Sequence, residues 1–60
     1  MSNKIREALQ VRGITHAELA QQVGVSDAMI SYIVKGYKEP SVKLLKRIAD
    51  YLGMKVDDLI

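Results

Sequence analysis

Residues 15–36 read THAELAQQVGVSDAMISYIVKG, and this stretch contains the starting and ending signals of two short helices. Thr15 and Glu18 have the spacing of a capping box, in which the hydroxyl accepts from the amide three residues on and the carboxylate reaches back. Apolar residues then recur at intervals of three and four, as they do on one face of a helix. The stretch therefore predicts two helices, over 16–23 and 27–35, with a tight turn between them.

The turn between these two helices is built from small residues. Gly24 lets the backbone reverse sharply because it has no side chain to clash, and Ser26 can cap the helix that follows. Ala20 allows two crossing helices to approach closely, where a larger side chain would hold them apart. The second helix would be seated on the first by three apolar residues, Val25, Ile30 and Ile33. This is the pattern of a helix-turn-helix, in which the first helix braces the second and the second protrudes.

Helical signals also occur on both sides of this unit. Upstream, Ser2 can cap a helix that ends at Gly13, with inward positions at Ile5, Ala8, Leu9 and the stem of Arg12. Downstream, Pro40 and Ser41 start a helix that ends at Gly53, with an apolar face formed by Val42, Leu44, Leu45, Ile48, Ala49 and Leu52. A short fifth turn or helix follows near the end of the chain. The sequence thus predicts a compact all-α fold of five helices.

The composition limits what such a small domain can be. The 60 residues suffice for one domain, 1–60, close to the size at which a hydrophobic core alone is enough. There is no cysteine, so neither disulfide bonds nor thiolate metal sites can hold the chain together. No apolar run approaches the roughly 20 residues of a membrane helix, and no signal-peptide pattern opens the chain. We therefore expect a cytoplasmic domain without a cofactor, metal or membrane partner.

The charge is distributed unevenly along the chain. Residues 1–49 contain eight basic and four acidic residues, whereas residues 50–60 contain one basic and three acidic residues. A basic body with an acidic end suits an anionic partner on one side of the molecule. An enzyme is not expected, because one histidine without a cysteine, a glycine-rich phosphate loop or carboxylates paired in a cleft offers no catalytic arrangement. No small-molecule ligand is implied either.

The stretch from Thr15 to Ile60 resembles the Cro and phage-repressor (XRE) helix-turn-helix family, whose domain is of the lambda-repressor type. The shared motifs are the ELA…VGVS…IS.I..G core, the P-S start of the fourth helix and the IA.YLG…DDL end. With a basic first helix, the resemblance covers nearly the whole chain and places the helix-turn-helix unit at 16–35. It implies a five-helix domain that binds double-stranded DNA sequence-specifically through helix 27–35 as a dimeric transcriptional regulator, expected to be a repressor.

In this family the start and outer face of the third helix enter the major groove. Carried over to this chain, the base-contacting positions are Ser26, Asp27, Ala28, Ser31 and Tyr32. Several of these residues have a plainer interpretation as well: Ser26 is also a helix cap, Asp27 also favours the helix dipole, and Tyr32 can be an ordinary surface residue. Repulsion from phosphates counts against a base contact by Asp27.

Phosphate contacts should flank the residues that face the bases. The resemblance implies such contacts for His16, at the start of the second helix, and for Lys35, Tyr37, Lys38 and Lys43 around and beyond the end of the third. Any one exposed lysine is usually only solvated, so the expectation depends on their grouping. Relatives commonly have a glutamine where this chain has His16, and a neutral histidine can still donate one hydrogen bond.

The chain departs from its relatives inside the fold. Leu9 and Val34 stand where many relatives have an arginine and a glutamate that form an ion pair between the first and third helices. Replacing a desolvated ion pair with packed aliphatic residues is often neutral or stabilising, by about 1–4 kcal/mol. We expect the two side chains to touch and the core to extend between them.

The apolar end of the chain leaves two alternatives open. Met54, Val56, Leu59 and Ile60 could form the interface of a two-fold dimer, which would place two recognition helices about 34 Å apart on a pseudo-palindromic operator. The same residues could instead only close the core. A rival function also stays open, namely a protein-interaction module of antitoxin or antirepressor type that has this fold and reads little or no DNA.

Overall fold

The computed structural model describes residues 4–59, which form four α-helices and one short 3-10 turn. These are α1 Lys4–Arg12, α2 His16–Val23, α3 Asp27–Val34, α4 Val42–Leu52 and the 3-10 turn η1 Val56–Asp58. The all-α expectation is confirmed. The predicted N-cap Ser2 and the apolar residue Ile60 lie outside the described residues.

Three helices begin with a hydroxyl side chain that accepts a hydrogen bond from the amide three residues on. The pairs are Thr15 with Glu18 at 3.0 Å, Ser26 with Met29 at 3.1 Å and Ser41 with Leu44 at 3.1 Å. Each such bond satisfies an amide that has no partner within its helix, and replacing the cap by alanine typically costs about 1 kcal/mol. The predicted starts of α2, α3 and α4 are therefore confirmed.

The turn between α2 and α3 has the geometry that Gly24 makes available. Gly24 has a φ of 78°, in the left-handed region where side chains other than glycine are strained. The amides of Gly24 and Val25 both donate to the carbonyl of Ala20, at 2.9 and 3.0 Å. These bonds end α2 and direct the chain into α3 within three residues. Ala20 itself is buried, as its predicted role at the helix crossing requires.

The core is aliphatic, and every helix contributes to it. The three largest fully buried side chains are Leu19 of α2, Ile30 of α3 and Ile48 of α4. The other buried residues are Ile5, Ala8, Leu9, Ala20, Val23, Ile33, Val34, Ala49, Leu52 and Leu59. No polar or charged side chain is buried within residues 4–59. Packing thus accounts for the stability of this fold, and α3 is fixed against α2 by hydrocarbon contacts.

The end of the chain corrects the expectation of a fifth helix. Residues 56–58 form only one 3-10 turn, so residues 4–59 contain four α-helices and not five. The carboxylate of Asp58 accepts from the amide of Lys55 at 3.2 Å, and the amide of Leu59 donates to the carbonyl of Val56 at 2.9 Å. This tight turn directs Leu59 into the core, where it is 3% exposed. Val56 of the same turn is half-buried and also packs against the core.

Two predicted helix positions also need correction. The third helix ends at Val34 and not at Lys35, which follows it as the C-cap, so the helix-turn-helix unit spans 16–34. Val42 was expected on the apolar face of the fourth helix, but it is 80% exposed. It is the first residue of α4, and the buried residues Ile48, Ala49 and Leu52 lie in later turns. The first turn of α4 therefore lies at the edge of the core.

Polar side chains join α4 to the helices that pack against it. The Tyr51 hydroxyl donates to the Glu18 carboxylate at 2.6 Å, which raises the pKa of Tyr51 above its usual 10.0. The Glu18 carboxylate therefore bonds to α4. A full capping box would also need this carboxylate to accept from the Thr15 amide, and that bond does not occur among residues 4–59. At the end of α1, Nε of Arg12 donates to the carbonyl of Leu52 at 3.2 Å.

Candidate nucleic-acid interface

The third helix has one buried side and one side open to solvent. Ile30, Ile33 and Val34 are buried, while Asp27 and Ala28 are exposed, Ser31 is half-buried and Tyr32 is 51% exposed. At about 100° per residue, Ala28, Ser31 and Tyr32 are turned about 100° or more away from buried Ile30, so they face outward. Asp27 is exposed as the first residue of α3. The four helical positions predicted to contact bases thus lie on the accessible side of α3. Ser26 is exposed as well, with its hydroxyl already accepting from the Met29 amide.

The outer side of α3 borders the start of α2. A shallow open depression, which we call the α2–α3 groove, is lined by Thr15, His16, Ala17, Asp27, Ala28 and Ser31. The structure therefore brings the predicted phosphate contact His16 together with three of the predicted base contacts. The groove belongs to two helices that the core fixes at one crossing, so its side chains lie on a rigid support.

The C-terminal end of α3 is covered by the segment that follows it. The carbonyl of Tyr32 accepts from the amides of Tyr37 and Lys38, at 2.9 and 3.3 Å. The rings of Tyr32 and Tyr37 lie 6.5 Å apart between centroids, with their planes tilted by 46°. Tyr37 is 77% exposed, and Lys38 is exposed. These contacts hold a pair of accessible aromatic rings next to the outer side of α3.

Lys35 is the C-cap of α3 and is exposed. It borders a second depression, the α1 groove, whose apolar wall is formed by Leu9, Ile14 and Val34. Thr15 and His16 line this groove too, so the α1 groove and the α2–α3 groove meet at the start of α2. The α1 groove also contains Arg6, for which the sequence predicts no contact.

Lys43 is found at the other end of α3. It lines a small depression beside the turn from α2 to α3, together with Val25, Ser41 and Arg47. The guanidinium of Arg47 comes within 4.0 Å of the place that a Cβ on Gly24 would occupy. Lys43 is therefore separated from Lys35, Tyr37 and Lys38, which lie near the C-terminal end of α3. Arg47 was missed because only the folded chain brings α4 to this turn.

Leu9 and Val34 have the environment expected for an apolar replacement of an ion pair. They are 2% and 3% exposed, belong to one core cluster and line the same α1 groove. Direct contact between their side chains stays a prediction. Their burial shows that the core reaches from α1 to the end of α3, which positions the groove above them.

Across residues 4–59, no three His, Cys, Asp or Glu side chains are placed to hold a metal ion. No helix in this range is long and apolar enough to cross a membrane.

Comparisons with known proteins agree with this geometry. A family described as Helix-turn-helix matches residues 5–59. An uncharacterized HTH-type transcriptional regulator of Methanocaldococcus jannaschii is 37% identical over 59 residues, which cover 98% of this chain and 89% of that protein. A second, from Archaeoglobus fulgidus, is 37% identical over 59 residues, covering 98% and 84% of the two chains. A third, from Methanothermobacter thermautotrophicus, is 40% identical over 60 residues, covering 98% and 87%. No solved structure is significantly similar to the chain.

The family match extends over both helices of the helix-turn-helix unit and over the helices that support it. It confirms the resemblance noted in the sequence and the expectation that the chain is not an enzyme. The chain belongs to the helix-turn-helix family of the Cro and phage-repressor (XRE) type.

Proposed function

We propose that this chain is a sequence-specific transcriptional regulator that reads the major groove of double-stranded DNA with α3. The observation that carries the proposal is the accessible outer side of α3, which lies beside the start of α2 in the α2–α3 groove. An α-helix with its side chains is about 10–12 Å across, so α3 fits the roughly 12 Å width of the major groove. The relatives are named HTH-type transcriptional regulators, which supports the same function.

The outer side chains of α3 have suitable chemistry for base edges. Ser31 can donate to or accept from several bases, Ala28 can pack on a thymine methyl, and Asp27 can accept from cytosine N4. Tyr32 offers a ring edge for a methyl contact and a hydroxyl for a base or phosphate. The amide groups at the start of α3 are close to Ser26, which would keep its capping role in the complex.

Phosphate contacts would fix the register of α3 in the groove. His16, at the start of α2, and Lys35, at the end of α3, would contact one strand of the backbone, which is supported by their lining the same groove. Tyr37 and Lys38 would contact the backbone beyond the C-terminal end of α3, and Lys43 would contact it beyond the N-terminal end. We further propose a cytoplasmic protein that acts by repression, since a domain of this size bound on an operator would block access to it.

A selection of bound duplexes from a random pool tests the reading by α3. The wild-type chain should enrich one half-site sequence, and Tyr32→Ala together with Ser31→Ala should enrich a different or weaker one. Lys38→Gln is the matched control, because loss of a phosphate contact weakens all sequences alike. Enrichment of the same half-site by the wild type and by the α3 variants would contradict the proposal.

The protein-interaction module is retained as a second candidate because of Asp27. This carboxylate is exposed at the start of α3, where it would face phosphates, and the net charge of the chain is only +2. Binding to random duplex at low salt separates the two functions. Micromolar affinity that falls steeply with salt supports DNA binding, whereas no binding below about 50 mM salt supports the interaction module.

A further inference from the structure

The α1 groove carries a charge pattern that the reading helix does not account for. Arg6 enters it from α1, Lys35 from the end of α3, and His16 from the start of α2. The described residues that line the groove include no acidic side chain. Glu7, although it follows Arg6 in the chain, is not among them. Three separate elements therefore present basic or donor groups around one depression, and the complementary occupant is an anion.

The floor of this groove is apolar and firmly held. Leu9 and Val34 are buried in the core, and Ile14 packs against it. The amide of Ile14 donates to the carbonyl of Leu9 at 2.9 Å, which holds the segment after α1 close to that helix. A sugar ring can rest on such a surface while the phosphate beside it faces the basic rim.

The position of the α1 groove beside the reading helix indicates which anion it would bind. It is continuous with the α2–α3 groove, because Thr15 and His16 line both. A DNA strand that leaves the outer side of α3 and passes His16 therefore reaches Arg6 and Lys35 next. We infer that the α1 groove seats the sugar-phosphate backbone of the bound DNA, and that Arg6 is a phosphate-contacting residue. This inference rests on the proposed function and extends the DNA footprint onto α1.

The salt dependence of DNA binding tests this role. The affinity of the full chain for its selected duplex is measured by fluorescence anisotropy between 50 and 200 mM salt. Arg6→Gln should lower the slope of log affinity against log salt by about 0.9, the value expected for one lost phosphate contact. Arg6→Lys keeps the charge and should keep the wild-type slope. Lys35→Gln removes a second contact and should lower the slope by the same amount.

Lys4→Gln is the matched control. It removes one positive charge from the same helix, but Lys4 and Arg6 are about 200° apart around α1 and only Arg6 lines the groove. The control should keep the wild-type slope. A wild-type slope for Arg6→Gln, or an equal decrease for Lys4→Gln, would overturn the inference. Arg6 is exposed, so a circular dichroism spectrum should show the variant folded.

The outcomes separate this inference from the proposed function. If the wild type selects a half-site and Lys35→Gln lowers the slope but Arg6→Gln leaves it unchanged, only the inference fails. If the wild type binds duplex without sequence preference and Arg6→Gln lowers the slope, the reading by α3 fails and the inference stands. If the wild type binds no duplex at all, both fail.

Discussion

Glu18 has one hydrogen-bond partner nearby in the sequence and one far from it. Its backbone amide donates to Thr15, as the capping signal predicts, but its carboxylate accepts from the hydroxyl of Tyr51 at 2.6 Å. The two residues are 33 positions apart in the chain. The bond therefore connects α2, which braces the reading helix, to α4, and it belongs to the protonated form of Tyr51.

The raised pKa of Tyr51 makes this connection sensitive to alkaline pH. A folded-state pKa above the unfolded value means that the hydrogen bond contributes its full stability below about pH 10 and loses it as the pH rises through the higher value. We expect the wild type to have a higher Tm than Tyr51→Phe by a constant margin at neutral pH. That margin should disappear as the pH rises beyond about 10. Thermal unfolding of both proteins across this range provides the measurement.

Tyr37→Phe is the control for this experiment. Tyr37 is 77% exposed, so removal of its hydroxyl should leave Tm unchanged at every pH. A margin between wild type and Tyr51→Phe that persists at strongly alkaline pH would show that the hydroxyl acts through something other than its proton.

At the scale of elements, the pairing of α2 and α3 depends on the small size of Ala20. The residue is 4% exposed, and its carbonyl accepts the two bonds that close the turn into α3. Ala20→Leu adds three carbon atoms to a packed interface, and overpacking of this kind costs about 1–3 kcal/mol. Urea unfolding should show that loss, with weaker DNA binding because α3 is displaced.

An exposed alanine on the same helix provides the comparison. Ala17 lies one turn before Ala20 and is exposed, so Ala17→Leu should change the free energy of unfolding by less than about 0.5 kcal/mol. Equal stability of the two leucine variants would mean that close approach of α2 and α3 is not what Ala20 provides.

The helices were predictable wherever their signals are local. Ser26 and Gly24 mark boundaries because a cap and a left-handed turn involve only a few neighbouring residues. The exposure of Val42 was not predictable, because spacing alone does not say where the core ends along α4. In the candidate interface, the outer residues of α3 follow from the period of that helix. Arg6 and Lys35 come to line one groove only in the folded chain, so no local signal selects Arg6, and Gln10, one turn further along α1, lines the same groove.

The whole molecule is too small to read an operator with two half-sites by itself. Its principal extents are 24 × 21 × 20 Å, whereas half-sites one helical turn apart are separated by about 34 Å. We therefore propose that two copies bind one pseudo-palindromic operator. Leu59 is buried in its own core, which favours core closure for that residue, while Met54 and Val56 remain half-buried at the surface. These two residues are the described part of the proposed dimer contact.

The spacing of half-sites tests the assembly. Duplexes with two selected half-sites are prepared with centres about 10 or about 15 base pairs apart, which places the second site on the same or the opposite side of DNA. Cooperative binding should occur only at the first spacing, and Met54→Glu should abolish it while preserving affinity for a single half-site. Identical binding curves for both duplexes would indicate that the copies bind independently.

The division of α3 into a buried and an open side has a consequence for redesign. Ile30, Ile33 and Val34 hold the helix in place, and Asp27, Ala28, Ser31 and Tyr32 take no part in that packing beyond the partial cover of Ser31. Exchanging those four outward residues should therefore change the preferred operator, while the buried residues of α3 keep the helix in place. A library randomised at only these positions would sample many recognition codes on one unaltered scaffold.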